Sequence, residues 1–197
     1  MSLSSPRVLV LDAGSAAGNN LIRSLKAGAP PWVIAGCNHD PFTLRRSTAD
    51  RIHLLPLSSS RYADALQRIV AAERLDLVIP TNDADVLRLS AIKDRLSCRT
   101  LLPRKSVIQC CGDKYVTYQL LGRCGIPVPL TYPIHHTGDV RKVFDRFRPR
   151  GRRLWCRIRS GSGSYAAIPV TAPQQARSWI GYWGQKRGVR GGSFTLF

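Results

Sequence analysis

The 197-residue sequence contains one glutamate, Glu73, and no carboxylate of any kind after Asp145. A hard divalent cation requires oxygen ligands of that type, so side chains beyond Asp145 build no acidic magnesium or calcium site. No apolar run approaches the roughly 20 residues needed to cross a bilayer. Residues 1–6 also lack the apolar core of a signal peptide, so a cytoplasmic protein without a membrane partner is expected. The six cysteines (Cys37, Cys98, Cys110, Cys111, Cys124 and Cys156) form no Cys-x-x-Cys pair and are not joined by histidines at zinc-ligand spacing. They are read as buried, reduced thiols, with adjacent Cys110 and Cys111 as a weak case for redox chemistry. His39, His53, His135 and His136 follow no partner pattern and are read as structural or surface residues.

What is present is a globular composition, 44% hydrophobic, with a formal net charge of +18. The excess is uneven. Residues 1–113 hold 15 basic and 10 acidic side chains, and residues 114–197 hold 15 basic and 2 acidic. Of the 30 cations 24 are Arg, whose planar fork suits bidentate contact with phosphate, so phosphate is the partner to look for.

Residues 7–12 are a short apolar run ending in an acid, followed by the turn Ala13-Gly14-Ser15-Ala16-Ala17-Gly18 and then Ala17, Leu21, Ile22 and Leu25 at helical spacing. Further strands are expected at Trp32 to Cys37, Ile52 to Leu57, Leu75 to Pro80 and Thr100 to Leu102, with helices at Tyr62 to Glu73 and Asp83 to Leu96. Such alternation implies a parallel sheet covered on both faces, with Gly14, Asp40 and Thr81-Asn82-Asp83 along the rim at the carboxyl ends of the strands. After Pro103 the texture changes. Ser106 to Gly112, Asp113 to Cys124, Val140 to Phe147 and Gln174 to Gln185 read as helices. Leu154 to Arg159 and Tyr165 to Val170 read as strands around Ser160-Gly161-Ser162-Gly163-Ser164, and Ser193 to Phe197 as a last strand with no later element to pair with.

Three segments in this order resemble the ATP-grasp superfamily, particularly the large subunit of carbamoyl-phosphate synthase and related carboxylate-amine ligases. They are Asp76-Leu77-Val78-Ile79-Pro80-Thr81-Asn82-Asp83, then Asp113-Lys114-Tyr115 with Gly125-Ile126-Pro127-Val128-Pro129, and then Arg157-Ile158-Arg159 with the Gly/Ser loop. The resemblance implies an α/β fold: a Rossmann-like, parallel-sheet pre-ATP-grasp domain over residues 1–104, followed by the first part of an ATP-grasp domain (α+β) over 105–197. It implies ATP as cofactor, contacted by Lys114, Arg157, Ser160, Gly161, Ser162, Gly163 and Ser164. Gly14, Asn82 and Asp83, on the substrate-side rim of the first domain, are expected either to help hold a substrate or to pack on the ATP-grasp domain. The partners implied are a nucleotide and small carboxylate and amine substrates, with the carboxylate activated as an acyl phosphate for attack by the amine. Many members carry Lys followed by Pro where this sequence has Arg157-Ile158. That departure puts a strict lysine mechanism in doubt, although carbamoyl-phosphate synthases resemble this chain in using Arg.

A Gly/Ser loop between strands presents N–H groups and hydroxyls to a phosphate with no Cβ in the way, and a cation on the preceding strand neutralises the charge. Plainer readings exist for each feature: a flexible hairpin tip at Gly161 and Gly163, a helix N-cap at Asp113, and tight packing at Gly14 and Gly18. The resemblance places the magnesium ligands after the glycine-rich loop, where this sequence has no acid, so a truncated and inactive portion of a longer enzyme is expected. Two alternatives are a Rossmann-type dinucleotide binder using Gly14, Gly18 and Asp40, and a nucleic-acid binder. The second would use the nine cations of residues 141–159, with Phe144, Phe147 and Trp155 for stacking. An Arg-rich solvated loop is favoured over it.

Overall fold

The computed structural model describes residues 5–57, 59–147, 153–161, 163–164, 166–187 and 193–197. The chain divides into two units, Met1–Lys105 and Ser106–Phe197.

In the first unit β1 (Arg7–Leu11) leads to α1 (Ala16–Ala27), β2 (Val33–Asn38), α2 (Pro41–Leu44) and β3 (Arg51–Leu54). Then come α3 (Ser59–Glu73), β4 (Leu77–Ile79), α4 (Asp83–Ile92), a 3-10 turn at Lys93–Arg95 and β5 (Arg99–Thr100). The sheet is wholly parallel in the order β3-β2-β1-β4-β5. Strand β1 is central, with Val8 beside Ile34 of β2 in register and beside Leu77 of β4. Its apolar run is continuous because both faces are covered. Leu9 and Leu11 pack with Leu66 of α3 and Leu89 of α4, while Val8 and Val10 pack with Ile22 of α1 and Ile34. The chain reverses direction across the sheet between β1 and β4, where parallel sheets open a crevice for ligands.

Several expectations need correction here. The helix expected from Asp83 to Leu96 leaves α geometry at Ile92. The third strand stops at Leu54, on the sheet edge, with Ile52 exposed. Short α2 was not foreseen; Asp40 caps it, accepting from the N–H groups of Phe42 and Thr43. Glu73, expected on an outward helix, is buried, with Arg51 Nη1 at 2.8 Å, His53 Nε2 at 3.0 Å and Arg7 Nη2 at 3.2 Å from its carboxylate. Of the cysteines only Cys37 and Cys156 are buried, whereas Cys111 and Cys124 are exposed.

The second unit contains α5 (Lys105–Cys111), α6 (Lys114–Arg123), β6 (Tyr132–Ile134), α7 (Asp139–Phe147), β7 (Leu154–Ile158), β8 (Ile168–Val170), α8 (Pro173–Arg187) and β9 (Phe194–Leu196). Its sheet is antiparallel in the order β6-β9-β7-β8. The last strand is therefore not an unpaired end. Strand β9 lies inside the sheet, paired on one side with β6 and on the other with β7, and Phe194 and Leu196 are fully buried. Pairing across some 40 residues cannot be read from a local pattern, which is why the sequence made β9 look bare.

One face of this sheet makes the core. Cys156, Phe194, Leu196 and Ile134 pack against Val140, Val143 and Phe147 of α7 and Ile180 of α8. Phe147 is buried, so it is not available as a stacking surface for nucleic acid, and Phe144 is partly buried against the same cluster. Trp155 is exposed, while Arg148, Arg150 and Arg152 lie outside the described residues.

Candidate functional site

The other face of the second unit's sheet carries the cations. Side chains alternate along a strand, so Leu154 and Cys156 turn to the core and Arg157 to the opposite side, with Arg159 next in the same phase. Arg157 Nη2 donates to the Tyr118 hydroxyl at 2.8 Å. Its guanidinium carbon lies 4.4 Å from the ring centroid of Phe197 and 5.3 Å from that of Tyr118. Arg159 makes a fork-like pair with Asp113, Nε to Oδ1 at 3.1 Å and Nη2 to Oδ2 at 2.6 Å, and sits 5.3 Å from the Tyr115 ring centroid. Tyr115 and Tyr118, three apart on α6, share the helix face that meets both arginines.

Asp113 has a second task. It is the N-cap of α6, accepting from the N–H groups of Tyr115 at 2.9 Å and Val116 at 3.3 Å. Partial burial alone would raise its pKa, but Arg159 and the two N–H donors outweigh that and hold the carboxyl below the usual carboxylate range.

Lys114 begins α6 with its N–H on the Arg159 carbonyl at 3.0 Å, and its ammonium donates to the carbonyls of Arg159 and Gly161. It thus ties the helix start to the beginning of the glycine-rich loop. In that loop Gly161, at φ +120°, occupies a region that L side chains rarely adopt, and Gly163 (φ +66°) and Ser164 (φ +57°) are left-handed. A Cβ placed on Gly163 would meet nothing within 4 Å, so there the loop is open. Ser160 and Ser164 are exposed, and Ser162 lies outside the described residues.

Two buried polar atoms on this face have no hydrogen-bond partner among the described residues, Arg157 Nε and Thr195 Oγ1. Arg157 and Thr195 stand directly opposite each other on β7 and β9. A donor and a hydroxyl side by side, with an exposed Gly/Ser loop beyond the strand end, form a surface suited to an anion.

Of the residues that the sequence singled out, Lys114 is joined to the loop at Gly161, and Arg157 lies against Tyr118 and Phe197. The sequence missed Arg159, Asp113 as an ion-pair partner, Tyr115, Tyr118 and Phe197. The two-residue spacing of Arg157 and Arg159 was the available signal, because period two on a strand places both on one face.

The first unit's rim is built differently. Gly14 has φ +88°, and a Cβ there would fall 1.8 Å from the Thr43 carbonyl oxygen; at Gly18 it would fall 2.4 Å from that of Asp12. The Gly14 N–H donates to Asn19 Oδ1 at 3.3 Å, and the Gly18 N–H to Ser15 Oγ at 3.1 Å. These glycines serve close packing, and their donors are engaged by side chains of the same turn. That weighs against a dinucleotide phosphate at this turn, as does the commitment of Asp40 to capping α2. Asn82 caps α4, accepting from the Asp85 N–H at 2.8 Å and donating to Asp85 Oδ2 at 2.9 Å, while Asp83 is exposed. Asp85, which the sequence reading passed over, is the buried acid of this rim. Burial, and to a lesser degree the nearby Asp12 carboxylate, raises its pKa.

No protein-family profile matches the sequence. Solved structures do. The biotin carboxylase domain of Hydrogenobacter thermophilus 2-oxoglutarate carboxylase, determined with MgADP, ADP and bicarbonate, superposes with a TM-score of 0.68 at 14% identity, over 96% of this chain and 43% of that one. N5-carboxyaminoimidazole ribonucleotide synthetase from Thermus thermophilus gives 0.65 at 15% identity, over 96% and 46%. D-alanyl-alanine synthetase A from Vibrio cholerae gives 0.66 at 12%, over 98% and 60%. The fold is that of the N-terminal part of ATP-grasp enzymes. A five-stranded parallel sheet comes first and a four-stranded antiparallel sheet follows. The chain spans between 43% and 60% of the length of these ATP-grasp structures. Among the described residues no helix is long and apolar enough to cross a membrane, and no three His, Cys, Asp or Glu side chains are grouped to hold a metal ion.

Proposed function

We propose that this chain is the N-terminal part of a cytoplasmic ATP-dependent ligase that activates a carboxylate as an acyl phosphate for attack by an amine. Residues 1–104 would serve as its pre-ATP-grasp domain and 105–197 as the start of the ATP-grasp domain. The observation that carries the reading is Lys114 Nζ held to the Gly161 carbonyl at the start of the Gly/Ser loop, with Arg157, on the strand that leads to the loop, held by Tyr118 of the helix that Lys114 begins. Arg157 is the cation for the nucleotide phosphates: it is anchored through one nitrogen to Tyr118 and stacked on Phe197, while its Nε has no partner among the described residues. Lys114 acts by holding the loop as well as by charge, since its ammonium engages two loop carbonyls. The exposed loop supplies N–H groups and hydroxyls to the phosphate oxygens.

Arginine at 157, in place of lysine followed by proline, supports the carbamoyl-phosphate-synthase-like kind within this class. The described residues do not fit a magnesium site, so no residue of this chain is assigned to the magnesium that accompanies ATP and no step is routed through it. Calorimetric titration of the full chain with ATP tests the reading. Arg157→Ala should weaken ATP binding by about tenfold or more, the effect of losing a charge-assisted contact, and Lys114→Ala by a smaller factor. Equal affinity in wild type and both variants would remove these residues from the site.

A further inference from the structure

A second polar recess lies wholly within the first unit, at the carboxyl ends of β1 and β2. Its walls include Asp12, Asn38, Tyr62, Asp85 and Arg88. The cavity volume is about 10 Å³, room for one species the size of a water molecule. Three features make it more than a gap in packing.

The first is Tyr62. The side chain is 3% exposed, yet its hydroxyl has no hydrogen-bond partner among the described residues. A buried hydroxyl without a partner is unfavourable by about 1–3 kcal/mol, so its retention at the wall of a polar recess calls for a ligand. The second is charge. Asp12 and Asp85 bring two carboxylates to the recess, faced by the guanidinium of Arg88, 3.5 Å from Asp85 Oδ1, and by the imidazole of His39. With a neutral imidazole, one further positive charge balances the group. The third is backbone. Asp12 is left-handed at φ +57°, an arrangement a non-glycine residue holds at some cost, and Asn38 fixes it there, its Nδ2 donating to Asp12 Oδ1 at 3.0 Å and to the Ala13 carbonyl at 2.9 Å. The burial that raises the Asp85 pKa is the same desolvation that a bound cation would offset.

We propose that this recess binds a primary ammonium group, either free ammonium or the head of a small amine, with Asp12 and Asp85 supplying charge and the Tyr62 hydroxyl accepting one N–H. Asp12, Asp85 and Tyr62 all line the recess, whose volume suits a compact donor of water size, whereas an anion is opposed by both carboxylates. The site does not depend on the nucleotide reading: its residues all belong to the first unit, and it is tested without ATP.

The test uses the full chain with ammonium chloride as ligand and tetramethylammonium chloride, equal in charge but without N–H donors, as control at matched ionic strength. Ammonium should raise the thermal midpoint saturably, and tetramethylammonium should not. Tyr62→Phe removes a hydroxyl that has no partner among the described residues, so the variant folds, and it should bind ammonium about tenfold more weakly. Asp85→Asn should weaken it at least as much. The proposal is overturned if wild type shows no saturable response, if the two ions act alike, or if Tyr62→Phe binds ammonium as tightly as wild type.

Discussion

The two units each place glycines in a loop that follows a strand, and the glycines are there for opposite reasons. After β1 the chain is so close-packed that Gly14 and Gly18 admit no Cβ, and their N–H groups are taken up by Asn19 and Ser15. After β7 the space beyond Gly163 is open, Gly161 meets only Ile158 at 3.8 Å, and the loop is held from one side by Lys114. The same residue type closes one loop and opens the other. A glycine-rich turn is therefore not by itself a phosphate signal, since at the first unit's turn the glycines are required by packing.

The strongest way to break this contrast is a methyl group at Gly14. Gly14→Ala places a Cβ within 1.8 Å of a backbone oxygen at a φ of +88°, so the backbone itself must move. Overpacking and left-handed strain together should destabilise the first unit by roughly 3 kcal/mol or more. Chemical denaturation followed by a probe in that unit checks it. A loss below about 1 kcal/mol, the cost of left-handed alanine alone, would mean that the β1 turn is looser than its geometry implies.

The acids at the two sites sharpen the contrast through pH. Asp113 has a depressed pKa, so its contribution is fully present above the pKa of the unfolded chain and is lost as pH falls through the folded value. Asp113→Ala should remove a helix cap and the partner of Arg159, costing the second unit about 1–2 kcal/mol at neutral pH and much less in strong acid. Asp85 has a raised pKa, so its carboxyl favours folding in its protonated form and the advantage is lost as pH rises from the unfolded to the folded value. Asp85→Asn should accordingly make the first unit's stability less sensitive to a rise in pH. Unfolding midpoints of both variants across the acidic range decide it, and slopes of the same sign in the two units would contradict the assignment.

Most of the framework was legible because it is written locally. The apolar run of β1 and the helical spacing of α1 and α3 follow from residues within a few positions of one another. What escaped depends on pairing at a distance. Strand β9 gained its neighbours from residues about 40 and 60 positions earlier, and Phe144 and Phe147 entered the core because α7 packs on that sheet. At the site, the loop drew notice to Arg157 but not to Arg159, whose partner Asp113 lies 46 residues before it. On the first unit's rim the sequence favoured Asp83, yet the cap geometry at Asn82 turns the residue three positions on, Asp85, inward. Residue type and spacing mark where charge gathers, but burial decides which of two nearby acids matters.

The smallest expected effect is the most informative about the open loop. Gly163→Ala puts a methyl where no atom lies within 4 Å, at a φ of +66° that alanine can occupy for about 1 kcal/mol. Stability of the second unit should therefore fall only slightly. If the loop cradles phosphate through close backbone approach, the added methyl intrudes on the ligand rather than on the protein, and ATP affinity should drop by a larger factor than stability predicts. Calorimetry on the folded variant separates these. Affinity equal to wild type would mean that phosphate does not approach the loop at Gly163 and would leave Arg157 as the principal phosphate contact.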